Sequence, residues 1–455
     1  MPELPATYDL PVGDNNRRRV VSAWVILAIL SLVAAGIFSV LLVLARTPVI
    51  QTLVPLVDFF RVALVVHVNL SVLVWLLAFT AALWSLGSRG ERKLWDRTSF
   101  WLAAAGALVM VLAPFAGAGN PQMSNYVPVL DHPMFFAGLG LFVAGIASHL
   151  IRAVATRTRI GDTLSGSDAL SAGITFSAII VAAAFLSTWA SYLGIPADMS
   201  GQIFFEFLFW GGGHVIQFSY TLLMMIAWVV LASASGCRVE LTPRLMLVFL
   251  LFICLPIITV PFLYLAHDIV SAGHRLAFTE LMKYGGLSCL PLGLAIVSGL
   301  WRAQPESGEG RYLRSALNCS VALFAVGGVL GFLIAGLDIV IPAHYHGATV
   351  GVTIAFMGLC FFLLPRLGFG PIPAKMAFWQ PYLYGGGQLL HIAGLAWTGG
   401  YGMQRKTAGA AQGIDRIGEV AGMGLMGLGG LVSVIGGVLF LIICYRSIRG
   451  SQRRQ

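Results

Sequence analysis

"IPAHYHGATVGVTIAFMG", residues 341–358, places two histidines, one residue apart, at the head of an apolar run. A helix turns about 100° per residue, so side chains two apart leave it about 200° apart. His344 and His346 are therefore badly placed to grip one metal. They are well placed to serve two groups on opposite sides of one helix. The run behind them is apolar enough and long enough to cross a hydrocarbon layer of about 30 Å.

Working outward, the same character fills the chain. Of 455 residues, 58% are hydrophobic and 10% charged, with mean hydropathy +0.86, which excludes a soluble domain. Apolar runs predict an all-α integral membrane protein of about twelve transmembrane helices, at 20–46, 59–86, 99–118, 133–151, 167–193, 203–233, 244–267, 276–301, 315–337, 344–364, 376–400 and 418–445. Only short loops separate them, so 1–455 reads as one transmembrane domain. The first run is too long for a cleaved signal core and reads as span 1. Six cysteines (237, 254, 289, 319, 360, 444) are scattered, without CxxC or CxxCH spacing, which argues against disulfides and covalently attached heme.

The net charge of +9 is a topology signal. Numbering loops alternately, one side holds 21 basic residues, from Arg17–Arg19 through Arg89, Arg92, Lys93 and Arg97 to Arg453 and Arg454, against six on the other. That asymmetry puts both termini in the cytoplasm and gives no reason to expect nucleic acid. The expected location is a bacterial cytoplasmic membrane, with lipid around the spans.

Topology assigns each ionisable group a depth. His67 sits about two turns into span 2 from outside, and His214 about three turns into span 6. In "FLYLAHDIVSAGHR" (262–275), His267 and Asp268 close span 7 at the outer face. His344 and His346 open span 10, and Glu280 with Lys283 lies in the first turns of span 8. Five spans thus carry polar groups at a similar outer depth. Such groups are costly in hydrocarbon unless paired or liganded. Isolated ones such as His149 and His391 read as interhelical hydrogen bonds, and His132 as a cap on span 4.

These residues, in this order and on this side, resemble the catalytic subunit of the heme-copper oxidase and nitric oxide reductase superfamily, across essentially the whole chain. The resemblance implies the subunit I-like helical bundle and an oxidoreductase. It makes His67 and His346 the axial ligands of a low-spin heme, and His344 the proximal ligand of a high-spin heme, both of b type. His214 and His267 would hold a non-heme metal, copper or iron, which neutral imidazole suits. Asp338, before the His-x-His, and Arg405 with Lys406 in "GYGMQRKT" (400–407) resemble the residues around the heme propionates, Lys406 replacing a more usual arginine.

Two departures bear on the gas reduced. Oxidases of this superfamily typically carry adjacent histidines at the end of span 7, whereas Asp268 follows His267 here. The commonest oxidases have a tyrosine one turn after the span 6 histidine, and this chain has Phe218. Reductases commonly add carboxylates at the non-heme metal, which Asp268 and Glu280 would supply, while Glu206 would line a proton path. The expectation is a respiratory nitric oxide reductase. The alternative is a terminal oxygen reductase with its phenol relocated, for which Tyr264 is a candidate, and outside the superfamily, a proton-relay transporter. No copper-thiolate or covalent heme site lies in the chain, so electrons require a donor subunit, a soluble cytochrome c or cupredoxin, or a quinol.

Overall fold

Hydrocarbon offers backbone amides no partners, so a spanning chain bonds to itself as helix. The computed structural model describes residues 7–46, 57–88, 92–117, 119–157, 164–237, 239–303, 308–334, 339–401 and 416–451. Among them eleven helices are long and apolar enough to cross a membrane: Asn15–Leu44, Phe59–Leu86, Lys93–Phe115, Pro133–Ala155, Gly166–Gly194, Gly201–Ala234, Pro243–Ala266, Ala272–Arg302, Glu309–Phe332, Val340–Arg366 and Ile417–Gly450. They are spans 1 to 10 and span 12. The expected span 11 forms as the helix Ala374–Gly399. Its Gln380, Gln388, His391 and glycines dilute its apolarity, and Gln380 is wholly buried. Polarity turned toward protein lowers hydropathy without removing the helix.

Several helices outrun their apolar stretches. Span 3 begins at Lys93 and contains Asp96, which pairs at 2.8 Å with Arg152 of span 4, both side chains nearly inaccessible. Span 10 begins at Val340, so His344 and His346 lie in its second turn, after one turn of helix.

Contacts gather the chain into two compact units: Met1–Ala28 with Leu73–Pro305, and Ile29–Val72 with Glu306–Gln455. In the first, spans 3 and 4 approach until small residues touch backbone. A Cβ on Gly106 would fall inside the Gly138 and Phe142 backbone, and one on Gly145 would strike Ser99 and Ala103. Spans 7 and 8 are both broken. Proline lacks an amide hydrogen and clashes with the carbonyl four residues back, and 3-10 turns interrupt the helices at Leu255–Thr259, containing Pro256, and at Gly286–Cys289, before Pro291. Gly285 lets the two breaks meet: a Cβ there would lie 2.9 Å from Pro256 and 3.0 Å from Phe218.

In the second unit, spans 9 and 10 pack at Gly327 and Gly347, and spans 11 and 12 at Gly387 and Gly394 against Gly429, Ser433 and Met426. Without a hydrophobic drive between helices in lipid, such close approach supplies the attraction. The loop between spans 3 and 4 adds one feature the helical reading omits, an antiparallel ribbon pairing Asn120–Gln122 with Val129–Asp131.

Gly106→Leu should cost on the order of 3 kcal/mol by overpacking, lowering the melting temperature in detergent. Gly140→Leu, on span 4 at a position where a Cβ meets nothing within 4 Å, should melt like the parent. Equal melting of the two variants would refute the packing account.

Candidate functional site

In the second unit, three spans present histidines whose ring nitrogens are tied by backbone carbonyls. Nδ1 of His67 lies 3.0 Å from the Ala35 carbonyl of span 1, Nδ1 of His344 lies 2.7 Å from the Gly327 carbonyl of span 9, and Nδ1 of His391 lies 3.0 Å from the Met426 carbonyl of span 12. A carbonyl can only accept, so each Nδ1 carries the proton and Nε2 keeps its lone pair. That is the arrangement by which a protein orients an imidazole for iron or another metal.

Local backbone makes these bonds reachable. Gly327 lies against the backbone of Gly347 and Ala348, and Gly331 lies against the His344 ring, which a Cβ there would approach to 2.7 Å. Beyond His67, span 2 widens into a π-helix over Asn69–Val74, and the Ser71 hydroxyl donates to the His67 carbonyl at 2.6 Å. The π-turn changes helical phase beside a candidate ligand, where such turns commonly occur. His346 stacks on His391, centroids 5.0 Å apart and planes 16° from parallel. His391 was expected to make only an interhelical hydrogen bond, which it does, but it also backs His346.

In the first unit, span 6 carries the triplet Gly211–Gly213 immediately before His214. Each glycine admits a neighbour: a Cβ on Gly211 would strike the Tyr264 hydroxyl, one on Gly212 would strike Thr188, and one on Gly213 would strike the Tyr126 ring. Nδ1 of His214 donates to the Trp210 carbonyl at 2.7 Å, again leaving Nε2. Its ring lies 4.8 Å from Tyr126 and 6.0 Å from Phe278.

Span 7 ends at His267, whose extended backbone (φ −137°, ψ 132°) stops the helix. The turn that follows closes with the Ser271 amide donating to the Asp268 carbonyl at 2.9 Å, and Ser271 Oγ then caps the next helix by accepting from the His274 amide at 3.0 Å. His267 is half-buried and Asp268 exposed. His274 is fully buried, between Tyr264 at 5.1 Å and Phe278 at 4.8 Å. The Tyr264 hydroxyl donates to the Ser187 carbonyl at 2.8 Å and bonds Ser191 Oγ at 2.9 Å. Phe218 is buried against Gly285.

Glu206 accepts from the Asn125 amide at 3.0 Å and from the Asn125 side chain. It thereby holds the tip of the ribbon that lays Tyr126 on His214. Burial pushes the Tyr126 phenol up, a hydrogen bond with Gln217 opposes this, and the Glu206 charge raises it further. Glu280 is half-buried on span 8, six residues past His274 and about 240° round the helix. His132 caps span 4, its Nδ1 accepting from the Met134 amide at 3.3 Å. Asp338, Arg405 and Lys406 lie outside the described residues. Among the described residues no three His, Cys, Asp or Glu side chains converge as they stand on one metal position.

Two residues of this neighbourhood escaped the sequence reading. His274 stands in the stretch quoted above, seven residues after His267, and no motif marks it. Tyr126 lies 88 residues before His214 in a loop, and no local pattern links them.

Residues 19–439 match the family described as Cytochrome C and Quinol oxidase polypeptide I. An uncharacterized protein of Rickettsia prowazekii is 28% identical, covering 96% of this chain and 97% of its own. Cytochrome c oxidase subunit 1 of Thermus thermophilus is 23% identical over 77% of this chain and 70% of its own. A heme-copper terminal oxidase dimer solved by cryo-EM superposes with a TM-score of 0.74 at 16% identity, over 96% of this chain and 84% of that one.

Gly327→Val should drive span 9 from span 10 and withdraw the carbonyl that orients His344. With the high-spin and low-spin hemes that the sequence resemblance implies, absorption spectra of the purified variant should show the high-spin signal reduced at least several-fold and the low-spin signal retained. Loss of both in equal measure would mean that Gly327 serves packing alone.

Proposed function

Because the chain belongs to the Cytochrome C and Quinol oxidase polypeptide I family, the subunit I family of the heme-copper oxidases, we propose that it is the catalytic subunit of a respiratory nitric oxide reductase. The balanced reaction is two NO, two electrons and two protons to N₂O and water. When bound, two b-type hemes and a non-heme copper or iron supply the electron relay and the place where gas is reduced. His67 and His346 would hold the low-spin heme. His344 would hold the high-spin heme through Nε2, since its Nδ1 is committed to Gly327. His214 and His267 would hold the non-heme metal.

The observation that carries the choice of gas is the exchange of groups around that metal site. A carboxylate, Asp268, follows His267 where the oxidase pattern typically has a second histidine, and a fully buried Phe218 stands one turn beyond His214 where that pattern commonly has a phenol. Cleaving O₂ in one step needs four electrons and benefits from a phenol, whereas coupling two NO needs two electrons and protons. Asp268, Glu280 and Glu206 are carboxylates for that proton supply. Glu206 is already fixed by Asn125 two turns from His214. The remaining parts of the proposal are a bacterial cytoplasmic membrane, cytoplasmic termini, and an electron donor that is a partner subunit, a soluble cytochrome c or cupredoxin, or a quinol.

A specific observation favours the second reading, a terminal oxygen reductase. Two phenols stand beside imidazoles of the site, Tyr126 at 4.8 Å from His214 and Tyr264 at 5.1 Å from His274. Turnover with an artificial donor decides between them: anaerobic NO consumption should exceed aerobic O₂ consumption at least tenfold, and the reverse ratio would sink the nitric oxide reading. Asp268→Asn should lower NO turnover at least tenfold with both hemes retained, and undiminished turnover would remove the carboxylate from the mechanism.

A further inference from the structure

We propose that His274 is a third imidazole ligand of the non-heme metal, supplied from span 8 in place of the second histidine that position 268 lacks. The proposal rests on His214 and His267 as ligands of that metal, and is independent of which gas is reduced. In the family pattern the span 7 ligands sit side by side, and that pattern puts no ligand seven residues later on the next helix.

The first support is an unmet demand. His274 is wholly buried, and neither ring nitrogen has a hydrogen-bond partner. Leaving a buried donor or acceptor unsatisfied costs roughly 1–3 kcal/mol, and such groups in native proteins call for an explanation. His67, His214, His344 and His391 each have a ring nitrogen tied to a carbonyl. His274 is buried among aromatic rings with its polar atoms idle.

The second support is place. His274 packs on Phe278, which also packs on His214 at 6.0 Å, so the two imidazoles flank one phenyl ring. His267 lies over the residue just before it: a Cβ on Gly273 would come within 2.9 Å of His267 Nδ1. Position 273 therefore keeps His267 and His274 on the same short stretch of chain. The cap from Ser271 Oγ fixes where the His274 side chain leaves the helix.

The third support is chemistry. A neutral imidazole has the lone pair that copper or iron takes, and a third one completes the set without adding charge to a buried site. The three rings do not converge as they stand. Turning the His274 ring breaks no hydrogen bond, because it makes none. With His274 as ligand, Asp268, exposed in the turn, is left free to pass protons.

The competing account is that His274 is a packed aromatic ring. His274→Phe separates the two, since phenylalanine fills the space between Tyr264 and Phe278 and cannot bind metal. The measurement is the metal-to-heme ratio of purified holoenzyme, with X-ray absorption to count imidazoles on the metal and His214→Ala as control. The expected result is a low-spin heme spectrum and melting temperature like the parent, with metal per heme reduced at least tenfold in both variants. Parental metal content and an unchanged imidazole count in His274→Phe, with metal lost in His214→Ala, would overturn the role of His274 alone. Metal retained in His214→Ala would overturn the metal reading of the site and this proposal with it. If His274→Phe does not assemble, His274→Cys gives the reading: sulfur in the metal shell supports the assignment, and a shell identical to the parent overturns it.

Discussion

An imidazole in hydrocarbon must spend its polar atoms on something, and this protein's architecture follows from how each is spent. At His67, His214 and His344 one nitrogen is committed to a backbone carbonyl, which fixes the tautomer and leaves the other nitrogen basic. Helix carbonyls are normally consumed within their own helix. A close approach of backbones brings them within reach of a neighbouring span, and glycine permits that. Gly327 is the clearest case, because the same residue that meets Gly347 offers its carbonyl to His344. Helix packing and imidazole orientation are here one interaction viewed from two sides.

The other unit solves its positioning problem by breaking helices. Pro256 and Pro291 interrupt spans 7 and 8, and Gly285 lets the breaks lie together. The segments that flank the connecting turn are short, Val260–Ala266 and Ala272–Gly285. They are joined by a turn closed through Ser271, and the end of one and the start of the next carry His267 and His274. Straight helices of the same length would set these side chains by helical phase alone. Here a capped turn, with bonds of 2.9 and 3.0 Å, sets them instead.

Spans were legible because hydropathy over twenty residues is a strong signal, and even span 11, diluted by Gln380 and His391, was recovered from its length between polar loops. Span ends were less legible: in span 3 the charged residues Lys93 and Asp96 extend the helix beyond its apolar core. Candidate ligands were legible where an ionisable group interrupted an apolar run, as at His67, His214 and His344. What could not be read was contact between distant segments. The π-turn after His67 has no apolar signature, and the ribbon that brings Tyr126 to His214 depends on Glu206 gripping Asn125, 81 residues away. His274 was visible as a letter and silent as a signal, because its significance lies in being buried without a bond.

The phenols sharpen the chemical question. Tyr126 sits outside the spans with its ionisation suppressed by burial and by Glu206, so it stays protonated at physiological pH. Such a phenol can donate a hydrogen bond and cannot act as a base. Tyr264 has its hydroxyl turned to span 5 and only its ring toward His274, which suits packing better than donation. The case for oxygen chemistry therefore narrows to Tyr126, held by a carboxylate-clamped loop. The case for nitric oxide rests on the carboxylates Asp268, Glu280 and Glu206. Glu206 belongs to both, since it orients the phenol through Asn125 and is one of the carboxylates proposed to pass protons. The two readings differ in whether Glu206 works through Tyr126 or past it.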